Sequence, residues 1–146
     1  MPTRTARTAW NGSLQEGSGQ VELTSSKVGT YDVSFPQRAA DDAGGATSPE
    51  ELIAAAHSAC YAMSLSNEIA GAGGTPQALD VTADVTLGPD PAGGFRLTGI
   101  TLKVVGEVDG LDEAGFLAAA GAAKEGCPVS KALTGVEITL EASLEA

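Results

Sequence analysis

No charged side chain occurs from Leu52 to Met63, and this stretch constrains the fold more than any other feature of the chain. It belongs to a segment that reads as one long helix. Ser48 can accept a hydrogen bond as N-cap, and Pro49 has φ preset for the first helical position. Glu51 completes a Ser-x-x-Glu capping box at the positive end of the helix dipole. Ala, Leu, Ile and Met carry the body to about Ala70, and Gly71, Gly73 and Gly74 supply a stop. Small or apolar residues fall on every face of this helix, so it requires cover from several directions. It also holds Cys60, one of two cysteines, and His57, the single histidine. The most reactive side chains therefore sit on the element that most needs burial.

The remaining pattern supplies sheets to cover it. Arg4 to Trp10 is a weak strand, and Gly12 to Gly19 a turn region. Val21 and Leu23, then Tyr31, Val33 and Phe35, alternate with polar neighbours, as half-buried antiparallel strands do. Pro36 ends this pair, and Gln37 to Thr47 reads as a loop. After the long helix, Val81, Ala83, Val85 and Leu87 alternate strictly, Gly88 to Gly94 turns, and Phe95 to Val108 returns. The apolar phase of the return strand shifts from odd to even positions at Gly99, which predicts a bulge. Asp112 to Lys124 is a second helix closed by Gly126. A short helical turn over Val129 to Thr134 follows, with Cys127 at the N-cap and Pro128 at the first helical position. Val136, Ile138 and Leu140 mark a last strand. The expected fold is α+β, with antiparallel sheets around a long central buried helix, in a single domain spanning residues 1–146. Only one other long helix is available to cover the central one, so an intertwined homodimer is expected.

Charge and hydropathy narrow the partners. Nineteen acidic residues against eight Lys and Arg give a net charge of −11, which repels phosphate backbones and argues against nucleic acid. No apolar run approaches the ~20 residues of a membrane span, and the first ten residues lack an apolar signal core. A cytoplasmic protein is expected. In that reducing setting two distant cysteines suit thiol chemistry better than a permanent staple.

Cys60 has two readings: a small apolar core residue, or a nucleophile. His57, three positions earlier on the same helical face, and a second thiol elsewhere favour the nucleophile. At Cys127 the unpaired N–H groups and dipole of a helix start lower a thiol pKa. A thiolate with a second thiol to resolve its sulfenic acid is the minimum equipment of a two-cysteine peroxide reductase. His57 could act as a base toward Cys60 or be a packed core residue. Two cysteines and one histidine without short ligand spacings argue against zinc, and no metal or cofactor is expected. Arg38 stands in the loop before the helix as a candidate cation for a thiolate, or as a solvated charge. Glu50 is either a dipole-stabilising helix start or part of the site. Ten residues of helix separate Glu50 from Cys60, about 15 Å of rise. If both serve one site, Glu50 comes from another subunit.

Ser48-Pro49-Glu50-Glu51-Leu52, then Ala55-Ala56-His57-Ser58-Ala59-Cys60, with Cys127-Pro128-Val129-Ser130 far downstream, closely resembles the OsmC branch of the OsmC/Ohr family of hydroperoxide reductases. The resemblance spans essentially the whole chain, including Trp10 and the hairpin beginning Thr82-Ala83-Asp84-Val85. His57 and Val129 are similar to the OsmC branch, because the Ohr branch usually has Tyr at both places. Ser48 replaces a frequent Asn and preserves capping, while the loop from Ala39 to Ala46 is longer and more acidic than in many relatives.

The resemblance implies an intertwined homodimer with active sites at the interface. It makes Cys60 the peroxidatic nucleophile, Cys127 the resolving cysteine, and Arg38 with Glu50 an ion pair that positions and activates the thiolate. The implied substrate is an organic hydroperoxide, with hydrogen peroxide used more weakly. The implied reductant is an external dithiol of lipoyl type, and the role is defence against oxidative or osmotic stress. Met63, Phe116 and Leu117 are the candidate apolar walls. The competing classes are a non-catalytic stress-induced binding module of the same fold and a Cys-His hydrolase that would not need Cys127.

Overall fold

In a computed structural model that describes residues 1–145, the chain forms two compact units, the first running Met1–Leu52 and the second starting at Ile53. No helix among the described residues is long and apolar enough to cross a membrane.

The first unit is a three-stranded antiparallel meander of β1 (Arg7–Asn11), β2 (Ser18–Glu22) and β3 (Thr30–Val33). Its register pairs Trp10 with Gly19 and Val21 with Tyr31. The segment after β3 departs from the expected loop. Phe35–Ala39 is a short helix, α1, whose N-cap Ser34 accepts a hydrogen bond from the Gln37 amide, with Pro36 in the first turn. The cause is local: Pro36 cannot extend a strand, but its fixed φ suits a helix start behind a serine cap. The Thr47 amide then donates to the Asp32 carbonyl at 2.9 Å, tying the end of the following loop to β3.

The long helix α2 runs Pro49–Gly71. The Glu51 amide donates to Ser48 Oγ at 3.1 Å, as the cap predicts. The return arm of the capping box differs, because the Glu51 carboxylate accepts from the Thr47 hydroxyl at 2.6 Å. At the other end Gly73, at φ +90°, takes the left-handed conformation that only glycine adopts freely, and the Gly74 amide donates to the Ile69 carbonyl.

The second unit places the rest of α2 with β4 (Thr75–Pro89), β5 (Phe95–Asp109), α3 (Glu113–Gly126), α4 (Pro128–Ala132) and β6 (Ile138–Leu144). β4 and β5 form a long antiparallel hairpin, and the pairing skips from Thr86↔Gly99 to Leu87↔Leu97. The extra residue is Thr98, next to the expected Gly99. β6 lies on the far side of β5 and runs parallel to it, so this sheet is mixed rather than wholly antiparallel. The two helices between β5 and β6 supply the long crossover that parallel pairing requires. Asp112 caps α3, its carboxylate accepting from the Gly115 amide at 2.8 Å.

His57, Tyr61, Leu65 and Ile69, at four-residue spacing, form the fully buried stripe of α2. The last three pack in the core with Leu102, Val104 and Phe116. Tyr61 Oη donates to the Ala120 carbonyl at 2.9 Å, and burial raises its pKa, with the charge of Cys127 adding to the effect. The opposite stripe, Ala56, Ala59, Met63 and Asn67, is exposed, with Met63 at 73 %. One chain therefore covers one face of the helix, not all of them.

Candidate active site

Cys60 and Cys127 meet in the second unit. Helix α2 carries Cys60 on the flank of its buried stripe. The α3–α4 junction carries Cys127, which ends one helix and precedes the next with an extended φ of −59° and ψ of 124°. Their Sγ atoms are 3.0 Å apart and both thiols are free. Cys127 is fully buried and Cys60 partly so.

The surroundings treat the two sulfurs differently. Burial pushes the Cys60 thiol up, and the adjacent Cys127 sulfur pushes it further. Contacts with the Val129 amide and the Ser64 hydroxyl oppose this without reversing it. Burial also pushes Cys127 up, but the neighbouring Cys60 thiol, the Ser130 amide and hydroxyl, and the Val129 amide outweigh burial and hold Cys127 below its usual range. Cys127 makes no side-chain cap of α4; the N–H groups of the first turn act on its sulfur instead. The surroundings thus favour the thiol form at Cys60 and the thiolate form at Cys127.

His57 Nε2 lies 2.7 Å from Ser130 Oγ. The histidine is directed to a serine rather than held as a base on Cys60, and burial lowers its pKa, keeping the ring neutral near pH 7. Nδ1 is buried without a hydrogen-bond partner among the described residues. Ser130 is the site residue that pattern reading passed over. Its only signal was its place three residues after Cys127, in the first helical turn.

Arg38 and Glu50 meet in the first unit. Arg38 closes α1 and Glu50 opens α2, where Nε donates to Oε1 at 2.8 Å and to Oε2 at 3.1 Å. The Glu50 side chain is 10 % exposed and that of Arg38 33 %. Both bonds use Nε, and neither Nη group donates a hydrogen bond among the described residues. Arg38 also borders a pocket of about 340 Å³. Trp10, Val21, Val33, Phe35 and Leu52 give it an apolar lining. Of the candidate walls, Phe116 is fully buried in the second-unit core, and Met63 and Leu117 are exposed. Alanine-rich helical pattern alone does not say which side chain faces a cavity. Among the described residues no group of three or more His, Cys, Asp or Glu side chains could hold a metal.

Comparisons with known proteins converge. The family model described as OsmC-like protein matches residues 41–141. The chain is 42 % identical over 136 residues to Peroxiredoxin OsmC of Escherichia coli (strain K12), covering 93 % of this chain and 92 % of that protein. It is 36 % identical over 122 residues to Organic hydroperoxide resistance protein OhrA of Bacillus subtilis (strain 168), covering 82 % and 84 %. The crystal structure of the organic hydroperoxide resistance protein OhrB of Bacillus subtilis superposes with a TM-score of 0.75 at 30 % identity, covering 95 % of this chain and 98 % of that one.

Proposed function

As this chain belongs to the OsmC-like protein family, we propose that it is a thiol peroxidase that reduces organic hydroperoxides, and hydrogen peroxide more weakly, through Cys60 and Cys127. The observation that carries the reading is the 3.0 Å approach of two free sulfurs from separate elements.

The Cys60 thiolate attacks the terminal peroxide oxygen. The O–O bond breaks, alcohol leaves after taking up a proton, and Cys60 becomes a sulfenic acid. Cys127 then attacks that sulfur, the S–O bond breaks, water departs, and a Cys60–Cys127 disulfide remains. An external dithiol of lipoyl type takes the disulfide back to two thiols and is itself oxidised.

Arg38 and Glu50 are assigned to activation. Helical rise keeps Glu50 from the Cys60 of its own chain, so the pair is assigned to the Cys60 of a second copy. Glu50 holds Nε and leaves both Nη groups for sulfur and for the departing oxygen, where developing negative charge is greatest. Such a cation would offset the burial that raises Cys60. The apolar pocket beside Arg38 would take the carbon chain of an organic hydroperoxide. A homodimer is supported by the outward apolar stripe at Met63, which one chain leaves uncovered. The 146 residues act as one domain in this reading. Its setting is the cytoplasm and its role stress defence, without a cofactor, nucleic acid or membrane partner.

The test is thiol count and intact mass of the reduced protein before and after one equivalent of an organic hydroperoxide. Loss of two thiols with a decrease of about 2 Da per chain is expected for a disulfide. Two thiols still free would favour a binding module of the same fold.

A further inference from the structure

Two buried polar side chains beside the cysteines have no part in the chemistry above. His57 is fully buried and Ser130 is 6 % exposed, and each stands near one of the two sulfurs. His57 lies one turn before Cys60 on α2, and Ser130 lies in the first turn after Cys127 on α4. The two are joined by the 2.7 Å contact between Nε2 and Oγ. The Ser130 hydroxyl is also among the groups that hold the Cys127 thiol below its usual range.

A serine hydroxyl has one proton and two acceptor lone pairs. When that proton points at Cys127, only lone pairs face His57, and the ring must then carry its own proton on Nε2. That tautomer leaves Nδ1 as a bare acceptor. Nδ1 is the ring atom without a partner, and buried N–H groups without a partner are rarer in folded proteins than unpaired acceptors.

We propose that His57 and Ser130 are positioning residues for the resolving thiol: neutral His57 donates from Nε2 to Ser130 Oγ, and Ser130 donates to Cys127 Sγ, which holds that sulfur as an anion aimed at Cys60. The inference rests on the two-cysteine reading. In the step it serves, the Cys127 sulfur attacks the Cys60 sulfenic acid and the S–S bond forms. The S–O bond breaks, and the departing hydroxide takes up the proton Cys127 has lost and leaves as water. His57 stays neutral throughout and sets the direction of one hydroxyl.

Because the chain has a single histidine, its ring nitrogens are identified in a spectrum without further assignment. A long-range proton–nitrogen spectrum of the reduced full-length protein at pH 7 is expected to show a neutral ring protonated at Nε2, with the Nε2 resonance displaced in Ser130→Ala. A proton on Nδ1, or an imidazolium, overturns the proposal.

Rapid mixing with cumene hydroperoxide then separates the two steps, with Cys60 sulfenic acid trapped by a dimedone probe and the disulfide followed by mass. Ser130→Ala and His57→Leu are expected to slow disulfide formation about tenfold more than sulfenic acid formation, the effect of one hydrogen bond to a charged group. His57→Gln, whose amide nitrogen reaches about as far as Nε2, is expected to recover most of that loss. A native rate of disulfide formation in Ser130→Ala, or equal losses in His57→Gln and His57→Leu, overturns the positioning role alone. If the native protein forms no Cys60 sulfenic acid, the two-cysteine reading falls and this role falls with it.

Discussion

Cys60 Sγ and Cys127 Sγ stand 3.0 Å apart, about 1 Å more than a disulfide bond, with one sulfur on α2 and the other at the start of α4. Closing that gap needs only a small side-chain movement. Cys60→Ser is expected to abolish peroxide turnover. Cys127→Ser should be oxidised once per chain when no reductant is supplied, and should form no internal disulfide. Peroxide consumption and intact mass together read both outcomes, and full activity in Cys60→Ser would end the peroxidase reading.

Arg38 meets Glu50 through Nε alone. Removing the guanidinium in Arg38→Met is expected to lower kcat/KM about 100-fold, the effect of losing one donor to developing negative charge. Arg38→Lys should fall between, since an ammonium keeps the charge and loses the fork. Arg38→Lys should keep the urea midpoint close to native, whereas Arg38→Met leaves the Glu50 carboxylate, 10 % exposed, without its partner and should lower it. Peroxide assays beside urea titrations separate the two effects.

Met63 projects from the stripe of α2 that its own chain leaves open. A charge placed there should oppose pairing of two copies, because burying an unpaired carboxylate is costly. Met63→Glu is expected to sediment as a monomer where the native chain sediments as a dimer, and to lose peroxidase activity with the second chain. A native protein that stays monomeric at micromolar concentration contradicts the dimer assignment.

His57 binds a proton less readily when folded than its ordinary value of 6.5, because burial opposes the charged ring. Its stabilising contribution is complete above 6.5 and is lost as pH falls below that toward the folded value. The urea midpoint should therefore decline between pH 7.5 and 5.5, and His57→Leu should lack that part of the decline. An identical decline in both proteins would refute the assignment.

Gly106 pairs with Leu79 across the β4–β5 hairpin and lies under the Phe116 ring, where an added Cβ would overlap the ring edge. Gly106→Val is expected to destabilise the second unit by about 1–3 kcal/mol, as overpacking of a dense core does. Thermal unfolding checks it, and an unchanged midpoint would mean that the ring moves aside freely.

Much of the framework was legible in residue order because its causes are local. Ser48-Pro49 and Asp112 mark helix starts through caps, Gly73 supplies a stop, and strict alternation through Val81 to Leu87 identifies a half-buried strand. Where two local signals compete the outcome differs: alternation through Phe35 implies strand and then loop, but Ser34 and Pro36 start a helix there, and Thr47 takes the return arm of the capping box.

Residue types at short spacing suffice for the helix that carries Cys60 and His57, for the second thiol at a helix start and for the family resemblance. The rest comes from long-range packing. It set β6 parallel to β5, directed His57 to Ser130 instead of Cys60, and left Met63 uncovered while burying Phe116. It also raised the Cys60 thiol and lowered Cys127 through what each sulfur packs against. These outcomes depend on which groups from distant segments share one desolvated volume, and hydrogen bonding there outweighs the intrinsic chemistry of each side chain.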